Sequence, residues 1–144
     1  MAVVEEALAR VERYDGVLNA IVTLNPHVLD DARDLERRIA RGEDPGPLAG
    51  VPVGIKDVTP VAGLRTTYGS PLYADHVADH DDLLVERIRA AGAVFVGKTN
   101  VPTMAAGPQT DNPLFGRTVN PWDLGRTPGC DWPGTTSADR KSVV

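Results

Sequence analysis

At 144 residues and 15.4 kDa the chain is about one domain long, and its 42% hydrophobic and 24% charged residues are near the average for globular proteins. Long disorder and collagen-like repetition are excluded on that balance. The net charge of −5 and the absence of a basic stripe argue against nucleic-acid binding, whose affinity comes mostly from neutralising phosphates.

From Ala2 to Tyr14, Val4, Ala7, Leu8 and Val11 fall at helical spacing, and Asp15-Gly16 reads as a stop signal. Val17–Val22 is a short apolar run, strand or extended, ended by Asn25-Pro26. Pro26 suits the first turn of a second helix running to about Arg41, with Val28, Leu29, Ala32, Leu35 and Ile39 on its apolar face and Gly42 closing it. After the turn cluster Asp44-Pro45-Gly46-Pro47, the stretch Leu48–Ile55 reads as a buried strand whose glycines mark a close backbone approach. Val58–Gly69 is extended and turn-rich. Asp79, Asp81 and Asp82 open a third helix and complement its dipole; Leu84, Val85, Ile88 and Ala91 form its buried face, and Gly92 is its cap. Ala93–Gly97 is a buried strand, so helix and strand form an αβ unit and the class is α/β. Beyond Lys98 the chain is loop-rich, with no internal repeat and no linker.

A single cysteine, Cys130, leaves no internal disulfide framework and no four-cysteine metal site. Met1–Arg10 contains Glu5 and Glu6 and has no apolar h-region, and no run approaches the roughly 20 apolar residues of a membrane span. A cytoplasmic location without membrane contact is the expectation. Three lysines stand against twelve arginines, which singles out Lys56, Lys98 and Lys141. Lys56 ends an apolar, glycine-flanked strand in Gly50-Val51-Pro52-Val53-Gly54-Ile55-Lys56-Asp57. Two readings stay open for it: a desolvated amine fit to act as a base, or a strand-end lysine that snorkels to water.

The blocks Pro47–Asp57, Thr66-Thr67-Tyr68-Gly69-Ser70, Ala90–Ala93, Val96–Asn100, Asn112–Asp123 and Arg126-Thr127-Pro128-Gly129 resemble, in order and spacing, the amidase signature family of serine hydrolases. The resemblance spans Gly46 to Gly129. It implies the N-terminal portion (residues 1–129) of an amidase domain, with a mixed sheet flanked by helices. It further implies a Ser–cis-Ser–Lys relay in which Lys56 is the terminal base. A bridging serine would pass it the proton of a nucleophilic serine, which attacks a carboxamide carbonyl while backbone N–H groups hold the oxyanion. Ammonia or an amine leaves, and water hydrolyses the acyl-enzyme. No metal and no cofactor is implied; the substrate is a small-molecule amide, with a homodimer left open.

The sequence departs from the family after Gly129. Where the family continues Gly-Ser-Ser-Gly-Gly, this chain reads Cys130-Asp131-Trp132-Pro133-Gly134, with Trp132 at the bridging position. Ser137 and Ser142 come too early for the nucleophile and lack its glycine-rich setting. The end Asp139-Arg140-Lys141-Ser142-Val143-Val144 back-translates as gat-cgg-aag-agc-gtc-gtg-tag, which resembles a sequencing-library adapter. Residues 130–144 are therefore expected to be an artefactual, non-family tail, and a chain without both serines is expected to be inactive. Asn100-Val101-Pro102-Thr103-Met104 also departs from the family's Asn-x-Pro-Glu-Phe, which is expected to reshape local packing only. Two alternatives remain: the amidase component of a glutamine-dependent tRNA amidotransferase, and a non-catalytic fragment or pseudoenzyme.

The remaining candidates have plainer readings. His76 and His80 are expected to be a surface pair, since catalytic zinc needs a third protein ligand. The aspartates 79, 81 and 82 are expected to cap a helix rather than bind calcium. Lys98 is expected at a strand end, in a positioning or ion-pair role. The Asn112–Asp123 loop is expected to wrap the active-site region, with Trp122 as its packing anchor.

Overall fold

The first helix runs through Asp15-Gly16 instead of stopping there: α1 spans Ala2–Leu18 in the computed structural model, which describes residues 1–128. The chain leaves it at Asn19, which takes left-handed φ 53° and ψ 48° and bonds its N–H to the Asp15 carbonyl. Asp15 Oδ1 then accepts the N–H groups of Ala20 at 2.7 Å and Ile21 at 3.0 Å. Asp15 thus receives the outgoing chain, and β1 starts only at Ile21, as Ile21–Leu24. Asp15→Ala strands two N–H groups and is expected to lower stability by about 1–2 kcal/mol. A reduced urea midpoint at unchanged m checks this; an unchanged midpoint overturns it.

The second helix, α2, is Val28–Ala40. It begins after Pro26 because Asn25 takes the turn for itself. The Asn25 side chain accepts the His27 N–H at 2.9 Å and donates to Asp31 and to the Phe95 carbonyl, each at 2.9 Å. Val28, Ala32 and Leu35 are buried as the spacing requires, but Ile39 is 46% exposed, so the apolar face fades one turn before the helix ends. Gly42 closes α2 at φ 79°, its N–H on the Ile39 carbonyl.

The expected strand from Leu48 is shortened to β2, Pro52–Lys56. The N–H groups of Leu48 and Gly50 bond instead to the carbonyls of Ala91 (2.8 Å) and Gly92 (3.0 Å), at the end of the third helix. That helix, α3, is Leu83–Ala90, and the Asp82 carboxylate caps it by accepting the Leu84 N–H at 2.8 Å. Eight residues offer the core one narrow line. Val85 is buried and Ile88 packs beside it, while Leu84, on the expected buried face, is 56% exposed. The next strand, β3, is Val94–Thr99, reaching two residues past the expected end at Gly97 and buried throughout.

The sheet is mixed, in the order β1-β3-β2, with β1 antiparallel and β2 parallel to the central β3. Val53 pairs with Phe95 but Gly54 pairs with Gly97, so Val96 is an extra residue on β3. Such a bulge reverses the in–out alternation beyond it. Phe95 and Lys98, three apart, therefore share one face, paired with Val53 and Ile55. On that face Ile55, Val61, Leu64, Val85 and Phe95 form a core under α3. On the other, Val94 packs against Val4, Val28, Ala32 and Leu35 of α1 and α2. Helices flank both faces of the sheet. Among the described residues no helix is long and apolar enough to cross a membrane. The boundary at Gly129, the tail 130–144 with Cys130, Trp132, Ser137, Lys141 and Ser142, and the absence of relay serines there lie outside the described residues.

Candidate active site

Lys56 is the last residue of β2, half-buried and paired with Thr99 of β3. Paired residues of a parallel ladder point to the same side, so Lys56 shares its face with Thr99 and Gly54. A Cβ on Gly54 would lie 2.7 Å from Thr99 Cγ2, so the glycine lets the two strands close just before Lys56. Beyond Lys56 the backbone is held at each step. The Lys56 carbonyl accepts the Thr59 N–H (2.9 Å), the Asp57 N–H bonds the Thr99 carbonyl (3.0 Å), and the Asp57 carbonyl accepts the Tyr68 N–H (2.9 Å).

Asp57 is fully buried, its carboxylate accepting the Thr67 N–H at 3.2 Å and the Thr67 hydroxyl. Burial pushes this carboxyl above the usual range, against the pull of the Thr67 hydrogen bonds and the Lys98 and Arg65 charges. The desolvated lysine of this region is Lys98. It lies inside β3 rather than at its end, is wholly buried, and donates to the Thr59 carbonyl and to Thr66 Oγ1 at 3.0 Å. Burial lowers its pKa to about 8, opposed by the Asp57 charge. The bonds of the Lys98 ammonium run to Thr59 and Thr66, and Asp57 acts on it as a nearby opposite charge rather than as an ion-pair contact. A signal for its burial was present in the apolar run Val94-Phe95-Val96 shortly before it.

A pH dependence follows from Lys98. Its folded pKa, about 8, lies below the ordinary 10.5, so between those values the unfolded chain holds the extra proton and unfolding free energy rises with pH. The cost of burying the charged amine is fully present below about 8 and is relieved above it, to a total of about 3 kcal/mol at most. NMR titration of nitrogen-labelled lysine beside urea unfolding at each pH checks this. An amine titrating at its ordinary value overturns it.

The end of β3 is gripped by a polar network whose members are far apart in the chain. Asn100 donates to the Gly116 carbonyl (3.1 Å) and Thr118 Oγ1 (3.0 Å), and accepts from Asn112 Nδ2 (2.7 Å). Asn112 Oδ1 in turn accepts the N–H groups of Leu114 and Phe115, and Asn19 donates to the Phe115 carbonyl. The 112–123 loop therefore straps the α1–β1 corner to the end of β3, next to Lys56. Trp122 is 75% exposed and is not the packed anchor expected of it.

Tyr68 takes left-handed φ 55°, a conformation that strains a non-glycine residue, directly across from Asp57. Its carbonyl accepts the Met104 N–H at 2.7 Å, which places the departing Thr103-Met104 pair beside the site. The two histidines go separate ways. His76 packs on Tyr68 and Tyr73, with ring centroids 6.3 and 5.9 Å apart, while His80 Nδ1 meets Asp79 at 2.6 Å. Of the three aspartates only Asp82 caps α3; Asp81 accepts the Ala62 N–H and pairs with Arg89 at 2.8 Å.

The arrangement presents a primary amine at the carboxyl end of a parallel strand, on a backbone fixed by neighbouring segments. Such an amine can accept a proton from a hydroxyl brought within hydrogen-bond reach. The family profile described as Amidase matches residues 2–130. The chain is 44% identical to a glutamyl-tRNA(Gln) amidotransferase subunit of Carboxydothermus hydrogenoformans, over 100% of this chain and 30% of that protein. It is 46% identical to an acylamidase of Rhodococcus erythropolis, over 87% of this chain and 27% of that one. The solved peptide amidase of Stenotrophomonas maltophilia superposes with a TM-score of 0.83 at 29% identity, covering 96% of this chain and 29% of its own. The chain spans 30% or less of the length of each of these three proteins.

Proposed function

The chain belongs to the amidase family, and from that premise we propose that it carries the base-bearing part of an amidase that hydrolyses a carboxamide C–N bond to a carboxylate and ammonia or an amine. Lys56 is the terminal base in this reading. It accepts, through a bridging serine, the proton of a nucleophilic serine; the family carries both serines after the position of Gly129, where this chain reads Cys130-Asp131-Trp132. The nucleophile forms an acyl-enzyme and expels the amine, and water releases the acid. The observation that carries the reading is the clamped carboxyl end of β2, where Lys56 stands between Gly54, Thr99 and the held turn at Thr59. The substrate is a small-molecule amide, met in the cytoplasm without direct nucleic-acid contact, which agrees with a net charge of −5. A homodimer is compatible with the exposed apolar side chains Leu72, Leu83 and Val17.

The 44% identity to an amidotransferase component favours one second reading, in which the amide is glutamine and partner proteins receive the ammonia. Simple carboxamides and glutamine, offered separately to the complete gene product and to its Lys56→Ala variant, test both. Release of ammonia or amine that depends on Lys56 supports the family chemistry, and the preferred amide separates the two readings. No turnover of either amide by the wild type leaves the non-catalytic reading.

A further inference from the structure

We propose that Lys98 is a positioning residue for Lys56: from the opposite face of the sheet it ties down the turn that follows Lys56 and so fixes the direction of the catalytic amine. The inference rests on the base role given to Lys56 above. The bulge at Val96 turns Lys98 toward the Ile55 face, while Lys56 and Thr99 face the other way. Lys98 therefore cannot share the reaction with Lys56, yet it is joined to it by two bonds in series. Its ammonium donates to the Thr59 carbonyl, and the Thr59 N–H donates to the Lys56 carbonyl. A second tie runs from Lys98 to Thr66 Oγ1 (3.0 Å), which donates onward to the Leu64 carbonyl (3.3 Å). Thr67, the next residue, holds the Asp57 carboxylate, and Asp57 adjoins Lys56 in the chain.

Of the two segments after Lys56, 57–59 and 64–68, the apolar core under α3 takes only Leu64. A buried cation that bonds both joins them to β3, beside the Asp57 N–H that bonds the Thr99 carbonyl. A mainly apolar pair of strands has no packing reason to enclose an ammonium, whose burial carries a large cost unless its hydrogen bonds are met. The fold offers it the Thr59 carbonyl and Thr66 Oγ1, both from segments that follow Lys56. Displacement of that turn by as little as about 1 Å is enough to lower a rate by about 10²-fold.

The test uses the complete gene product and kinetics per folded enzyme, well below the unfolding temperature. Lys98→Met and Thr66→Val are expected to lower kcat for a carboxamide by about 10- to 100-fold with KM within about twofold. Thr66→Ser keeps the hydroxyl and is expected to stay within about threefold of wild type. Should Lys98→Met fail to fold, the Val/Ser pair at Thr66 decides. Unchanged kcat with only a lower melting temperature overturns the proposal, as does an equal loss in Thr66→Val and Thr66→Ser. Activity that survives Lys56→Ala would instead refute the base role itself, and so separates the two failures.

Discussion

Replacing Lys56 by alanine in the complete gene product is expected to lower kcat/KM for a carboxamide by at least about 10³-fold, or about 4 kcal/mol of transition-state stabilisation. A serine hydroxyl is a poor nucleophile until a base within hydrogen-bond reach takes its proton. The loss should fall on kcat rather than KM, because the amine acts on the reacting hydroxyls and not on the bound amide. Lys56→Arg sharpens the test. It keeps the length and the positive charge, but a guanidinium stays protonated at any pH the protein survives and cannot accept the proton. A base role predicts that the arginine variant is as inactive as the alanine one. A role in fixing charge or in holding an anionic substrate predicts that arginine rescues much of the activity. Steady-state kinetics on the three proteins, folded as judged by circular dichroism, decide between them.

The αβ unit, the mixed sheet and the helix faces at Val28, Ala32 and Leu35 were legible because they rest on periodicity, on caps and on family motifs, all of which are local in the chain. The elements that shifted did so through hydrogen bonds that sequence spacing does not reveal. Asp15 reads as a stop until its carboxylate is seen to collect Ala20 and Ile21. Leu48 and Gly50 read as strand until their N–H groups are found on the end of α3, some forty residues later in the chain. The same limit applies to the lysines. Both stand late in apolar, glycine-containing strands, and sequence alone leaves Lys56 open between a desolvated amine and one that snorkels to water. Burial instead follows the face each side chain takes, and that is set by the extra residue Val96 on β3, a property of the pairing of two distant strands. Resemblance and desolvation thus select different residues: Lys56 matches the family's base position, and Lys98 is the enclosed amine. In the proposed function Lys56 acts on the hydroxyls while Lys98 anchors the turn behind it.

Gly92→Ala is expected to cost about 3–5 kcal/mol, combining left-handed backbone strain with overpacking. At φ +90° an added Cβ would lie 2.0 Å from the Pro45 carbonyl oxygen and 3.1 Å from Ala49 Cα. Both are backbone, so no side chain can swing aside. The partner loop has little freedom to retreat, because Leu48 and Gly50 are bonded to Ala91 and Gly92 themselves. Gly46, across the contact, is closed in the same way: its own Cβ would lie 2.7 Å from the Ala91 carbonyl carbon. Gly42→Ala is the matched control, since φ there is +79° but nothing lies within 4 Å of the new methyl. It should show the strain alone, about 1 kcal/mol. Urea unfolding of the two variants separates conformation from contact. Equal losses would mean that the 46–50 loop yields to the methyl, and that the clasp between that loop and the end of α3, which sets where β2 begins, is not rigid.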